Sequence, residues 1–332
     1  MGSSTFSVIL LLLVASVATA QDFEPPSDTG HVLTGPQKVQ GQVVRPGLEA
    51  MMPVPGIWVT LHRVGSDAQA PLDSVKSDSR GGYSFAFTRS GDQEAIYFVS
   101  ASYGGVAYFT PPFVHSTVIG EEAEIAVFDT TSAPVPISVR GHHVIISAVD
   151  ANAVRSVTEV FEIANDSSVT QILGQGADAS VWSTTFPRGA SGFQVSQGDV
   201  PASAVRFENG RALVLAPIAP GLKQIAFTYS IPAAAFPLKF PLARATQVFE
   251  VLIEEEKGSA TGANLKEVAP VALEQRSFRR FLAGDVPASE SAVIDLPRAT
   301  TRRNLDPRYL AGLTIVIGGA MTFALARALR RQ

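Results

Sequence analysis

The chain has 332 residues, a formal net charge of −4, five histidines and no cysteine. Without thiols there is no cysteine nucleophile, no thiolate metal site, no disulfide and no covalent haem attachment. The modest negative charge, with acids and bases interspersed, excludes a nucleic-acid-binding surface of the usual basic kind.

In chain order, Phe6 to Ala18 form an apolar run followed by the small-x-small triplet Ala18-Thr19-Ala20, so residues 1–20 read as a signal peptide. An exported chain of this size without cysteine points to a bacterial envelope, because animal and plant ectodomains normally carry disulfides. Residues 21–36 are polar and rich in Pro and Gly, a flexible lead. From Val39 the hydrophobic period becomes two. Val39–Val44 is a first strand, and Ile57–Arg63 is a second with Ile57, Val59 and Leu61 on one face. The cluster Ser77 to Gly82 reads as a turn in which Asp78 accepts from backbone amides and Gly81 and Gly82 permit positive φ. Tyr83 opens the next strand. Tyr97, Val99, Ala101 and Tyr103 alternate along another, broken by Gly104-Gly105 before Val106–Phe109.

Gly41, Val59, Leu61, Asp78, Gly82, Tyr83, Phe85, Tyr97, Val99 and Tyr103 stand in the order and spacing of a known pattern. In these residues, 37–118 resemble the carboxypeptidase regulatory-like family, a transthyretin-like β-sandwich. The resemblance implies the fold of about a quarter of the chain. It implies no peptidase activity, since the family takes its name from a domain that accompanies the enzyme.

Residues 122–254 continue as short strands separated by turn residues, expected to form a second, immunoglobulin-like β-sandwich. Asn209-Gly210, between Phe207 and Ala212, is the clearest hairpin signal. Residues 255–264 read as a polar gap. Three further strands within 265–297 are expected to pack on the second domain, and 298–308 form a polar stalk. Tyr309 to Ala326 is uncharged and long enough to cross a bilayer, so 309–327 is expected to be a transmembrane helix, with 328–332 a cytoplasmic tail. The fold class is thus all-β, two consecutive sandwiches and one C-terminal transmembrane helix. The localisation is a single-pass protein of the bacterial inner membrane with a periplasmic ectodomain.

Chemistry-bearing residues are sparse. His142-His143 is the only histidine pair, and adjacent strand residues point to opposite faces, so the two rings cannot share a metal. No H-E-x-x-H occurs, Gly189-Ala190-Ser191-Gly192-Phe193 departs from a nucleophile elbow, and Asp73, Asp78 and Asp92 lack the spacing of a calcium loop. No catalytic residue, metal ligand or cofactor is therefore assigned. The remaining functional signal is aromatic: Phe98, Tyr108 and Phe109 form a candidate binding surface, whereas Tyr97 and Tyr103 fall on the buried face of their strand. The expected function is non-catalytic binding or scaffolding of envelope proteins, with a cell-wall glycan as the alternative ligand. The bilayer would be contacted through Tyr309 to Ala326, and nucleic acid not at all.

Overall fold

A computed structural model describes residues 35–297 except 177, 178, 197, 274 and 275. The expected signal peptide, the flexible lead up to residue 34, the stalk, the expected transmembrane helix and the expected cytoplasmic tail lie outside the described residues. Among the described residues no helix is long and apolar enough to cross a membrane. The fold is all-β, with three single-turn 3₁₀ segments as the only helical elements among the described residues.

The first unit comprises β1 (Pro36–Pro46), β2 (Met51–Pro53), β3 (Trp58–Val64), β4 (Gln69–Lys76), β5 (Gly82–Thr88), β6 (Ile96–Tyr103), β7 (Val106–Phe109), β8 (Thr117–Ile119) and β9 (Ile125–Ala126). One sheet is built around β1, which pairs antiparallel with β2 and β5 and parallel with β8 and β9. The other runs β4-β3-β6-β7. Strand alternation turns Val39, Val43, Tyr83 and Phe85 of the first sheet toward Val59, Leu61, Tyr97, Val99 and Ala101 of the second, and together they form one buried core. The unit is a β-sandwich.

The turn before β5 is built as its residues demand. Asp78 Oδ1 accepts from the amides of Arg80 (2.7 Å) and Gly82 (2.8 Å), and Gly81 takes φ +75°. Gly82, read as permitting positive φ, does not adopt it. It is small for a different reason, because a Cβ there would lie 2.9 Å from Asp78 Oδ2. Tyr83 is buried, and its hydroxyl donates to Ala123 O at 2.5 Å.

The second unit contains β10 (Thr130–Thr131), β11 (Ile137–Ile146), β12 (Val154–Asn165), β13 (Thr170–Gln171), β14 (Trp182–Thr185), β15 (Ser191–Val195), β16 (Val205–Glu208) and β17 (Arg211–Val214). It continues with β18 (Gly221–Pro232), β19 (Leu238–Pro241), β20 (Thr246–Ile253), β21 (Ser259–Gly262), β22 (Lys266–Leu273), β23 (Arg276–Val286) and β24 (Ser291–Asp295). Seven strands make a large sheet in the order β15-β18-β12-β11-β20-β23-β22, with β11 and β20 parallel at its centre. Two three-stranded sheets, β14-β17-β16 and β19-β24-β21, share a core with one face of it. Trp182, Phe186 and Val214 from the first, and Phe240, Ala260 and Ile294 from the second, meet Phe161, Phe227 and Phe249 of the large sheet.

Asn209 (φ +51°) and Gly210 (φ +70°) form the tight hairpin between β16 and β17, the left-handed pair that their sequence favours. Elsewhere the strands differ from a local reading. Residues 255–264 contain β21, which pairs with β24. The strands of 265–297 are joined edge to edge as well as by packing: β23 hydrogen-bonds to β20 and β24 to β19.

The two units are bonded to each other. Tyr103 Oη donates to Asp129 Oδ1, next to β10, at 2.9 Å, Tyr108 Oη lies 2.8 Å from Thr170 Oγ1 of β13, and Ile172 and Ala219 pack on the first core.

Gly41 reports on the tightness of the first sandwich. A Cβ there would lie 1.9 Å from Ala123 O and 2.7 Å from Tyr83 Oη. Gly41→Ala should therefore cost about 1–3 kcal/mol by overpacking, measured by urea unfolding followed through tryptophan fluorescence.

Candidate functional site

The alternation that buries Val59 and Leu61 on β3 turns Trp58, Thr60 and His62 outward. On β6 the same period buries Tyr97, Val99 and Ala101 and turns Phe98 and Ser100 outward. Register then assembles these residues on one face. Trp58 stands opposite Lys76, Thr60 opposite Ser74 and Ser100, His62 opposite Phe98, and Ser100 opposite Phe109.

The outer face so formed has an aromatic group at each end. Trp58 is 56% exposed, with the Lys76 ammonium 5.1 Å from its ring centroid. At the other end His62 stacks on Phe98 (5.1 Å between centroids), and Phe98 meets the edge of Phe109 (5.8 Å), which is 59% exposed. Between them runs a row of hydroxyls: Thr60 Oγ1 bonds Ser74 Oγ at 3.0 Å and Ser100 Oγ bonds His62 Nε2 at 2.8 Å. Partial burial lowers the His62 pKa, so the ring is neutral near pH 7 and Lys76 supplies the charge at the tryptophan end.

Of the three sequence-assigned surface aromatics, Phe98 and Phe109 lie together on this face. Tyr108 does not, and its assignment to a surface is corrected. It is 7% exposed, donates to Phe128 O at 3.0 Å and lies 2.8 Å from Thr170 Oγ1, so it ties the two units together. The reason is register. Gly104 (φ +58°) and Gly105 (φ +79°) make a two-residue hairpin, which sets Tyr108 opposite the buried Ala101. That Gly-Gly pair was a usable signal. Trp58 was missed, although the burial of Val59 already required it to point away.

The other chemistry-bearing residues are committed to structure. His142 and His143 do point to opposite faces of the large sheet. His142 Nε2 lies 2.6 Å from Glu159 Oε2, and the other oxygen of that carboxylate accepts from the Tyr229 hydroxyl. Burial pushes the Tyr229 phenol well above its ordinary pKa. A recess beside His142, lined also by Trp182 and Arg244, has room for only about 20 Å³. On the reverse face His143 Nδ1 lies 2.7 Å from Glu250 Oε2, and Arg280 Nε donates to Glu250 Oε1 at 2.5 Å. Burial alone would raise Glu250, but its bonds from His143 and Arg280 outweigh that and hold it below the usual glutamate value. Among the described residues no three His, Asp or Glu side chains are grouped to hold a metal.

Asp73, Asp78 and Asp92 do not converge. Asp73 bonds the Ser74 amide, Asp78 caps its turn, and Asp92 accepts from the Ser66 amide and hydroxyl, which hold it at about 2. Asn165, the first residue of an N-x-S triplet, is 2% exposed and donates to Val169 O and Ile218 O, so it is not presented for modification.

The chain matches no known protein family and no curated protein. Among solved structures, one described as a "putative protease" from Parabacteroides distasonis is 10% identical with a TM-score of 0.29. The match covers 48% of this chain and 40% of that one, so this chain spans less than half its length. A likeness at that level carries no argument about fold or activity.

The reverse-face cluster gives a pH-dependent expectation. Burial raises the Glu162 pKa, with the charge of His143 opposing and that of Glu250 adding. A carboxyl raised on folding supports the fold fully below its ordinary pKa and loses that support as pH rises through the folded value. Glu162→Gln should therefore be more stable than the parent chain at pH 7, and the difference should close as pH falls below the ordinary glutamate value. Denaturant midpoints measured across pH 3–8 test this.

Proposed function

We propose that this is a non-catalytic protein of the bacterial inner membrane, anchored by Tyr309 to Ala326, whose periplasmic β-sandwich modules bind or scaffold other envelope proteins. The observation that carries this reading is the outer face of β3, β6 and β7. It exposes two large aromatic side chains on a regular, preformed surface, and exposed aromatics grouped in this way are characteristic of recognition surfaces rather than of bare globular exteriors. The resemblance of residues 37–118 to carboxypeptidase regulatory-like domains agrees with a non-enzymatic module. The single span would raise the local concentration of the modules at the membrane, so that modest contacts suffice.

A second reading is favoured by the hydroxyl row. A face with Trp58 at one end, Phe98 and Phe109 at the other, and Thr60, Ser74 and Ser100 between them suits a polysaccharide, whose apolar ring faces stack on aromatics while its hydroxyls exchange hydrogen bonds.

Affinity purification of the tagged full-length chain from its native membranes tests the first reading. A stoichiometric protein partner is expected, reduced about tenfold by the double substitution Trp58→Ala, Phe109→Ala, a loss of roughly 1.4 kcal/mol. Sedimentation with purified peptidoglycan tests the second. Retention that is lost in the same double variant, with no protein partner recovered, would replace the first reading with the glycan.

A further inference from the structure

The two edges of the outer sheet of the first sandwich are not alike. At one edge, β4 carries Pro71, Asp73 and Lys76 and a register shift opposite Leu61/His62. Proline, charge and a bulge are the devices by which proteins keep an edge strand from pairing further. At the other edge, β7 is Val-Ala-Tyr-Phe, with no proline, no charge and a regular register to β6.

Its backbone groups can be accounted for one by one. Thr110 N donates to Val99 O at 2.9 Å, and antiparallel pairs alternate between bonded and non-bonded. The bonded pairs are therefore Tyr108 with Ala101 and Val106 with Tyr103, the latter closing the Gly104-Gly105 turn. The N–H and C=O of Ala107 and Phe109 point away from β6, and β7 pairs with no other strand. These are two donors and two acceptors in a row, with neighbouring sets about 6.8 Å apart. Both residues are exposed, and Phe109 stands directly over this edge with Phe98 behind it.

We infer that the free edge of β7 accepts an extended segment of a partner protein as an added fifth strand, whose apolar side chain opposite Phe109 packs on the Phe98–Phe109 pair. This deepens the protein-binding reading above and rests on it. A strand is the occupant that matches alternating backbone donors and acceptors, and the aromatic pair specifies an apolar residue at one position. A second copy of this chain fits less well. Antiparallel pairing of β7 with itself that satisfies these four groups sets Ala107 opposite Phe109 and leaves only a methyl group over the aromatic pair.

The test is photocrosslinking in the full-length chain in its native membranes, with p-benzoylphenylalanine in place of Phe109 and, in separate chains, at Leu72 on the protected edge and Trp58 on the outer face. The expected result is an adduct at position 109 to a different protein, absent at 72, with the linked peptide mapping to an extended segment bearing an apolar residue. Ala107→Pro removes one outward N–H without breaking a bond to β6, and should reduce the adduct about tenfold. Ala107→Lys, which leaves the backbone intact but guards the edge, should reduce it in the same direction should the proline variant fail to fold. No adduct at 109, an adduct to a second copy, or an adduct at 109 indifferent to both substitutions overturns the inference. If an adduct then forms at Trp58, the binding reading survives without it. If position 58 is also silent, both fall.

Discussion

A β-strand cannot turn two adjacent side chains to the same side, and the exposed aromatic face of the first sandwich depends on that constraint. On β3 the burial of Val59 and Leu61 obliges Trp58, Thr60 and His62 to face out. On β6 and β7 the same rule sends Phe98 and Phe109 out while Tyr97 and Tyr108 go in. The packed interior of the first sandwich and the aromatic face that it displays are the two sides of a single sheet. A substitution that slipped the register of β7 by one residue would exchange them, burying Phe109 and exposing Tyr108.

In the large sheet the constraint separates two charged systems. His142 enters the core between the sheets, where Phe161 stacks on it at 4.1 Å and its Nε2 lies 2.6 Å from Glu159 Oε2, the other oxygen of that carboxylate accepting from Tyr229. His143 goes to the reverse face with Glu162, Glu250 and Arg280. Glu250 bonds both His143 and Arg280 and so links β11, β20 and β23 across the middle of the sheet, including its parallel pair. Gly141 at the register shift in β11 makes room for them, since a Cβ there would lie 2.7 Å from His143 Nε2 and 2.8 Å from Glu162 Oε2. Buried ionic groups of this kind are costly to break once made, because removing one partner strands the other in a medium that solvates it poorly. They read as anchors of the sheet.

Much of the local structure was legible in the residues. The period of two identified most strands. Asn209-Gly210 named its hairpin, Asp78 named its turn, and adjacency alone put His142 and His143 on opposite faces. What was illegible has a common cause. β4 is exposed along most of its length and carries no hydrophobic alternation, so nothing in Gln69–Lys76 announces a strand that is held by its bonds to β3. β21 is four residues in a polar stretch and exists because β24 is there to pair with it. Tyr108 was legible in principle, through the two-residue turn before it, but its partner Thr170 lies 62 positions away.

From residues alone follow the all-β class, the faces of individual strands, the turns made by Gly, Asn and Asp, and the exclusion of thiol chemistry, because each is set by a side chain acting on its own or a neighbouring backbone. Strand order was decided only in three dimensions: β20 beside β11, β23 beside β20, and the two small sheets on one face. So was the meeting of Trp58, His62, Phe98 and Phe109 on a single surface. Hydrogen bonds between strands are made by backbone groups common to all residues, so the choice among partners falls to the packing of the whole core.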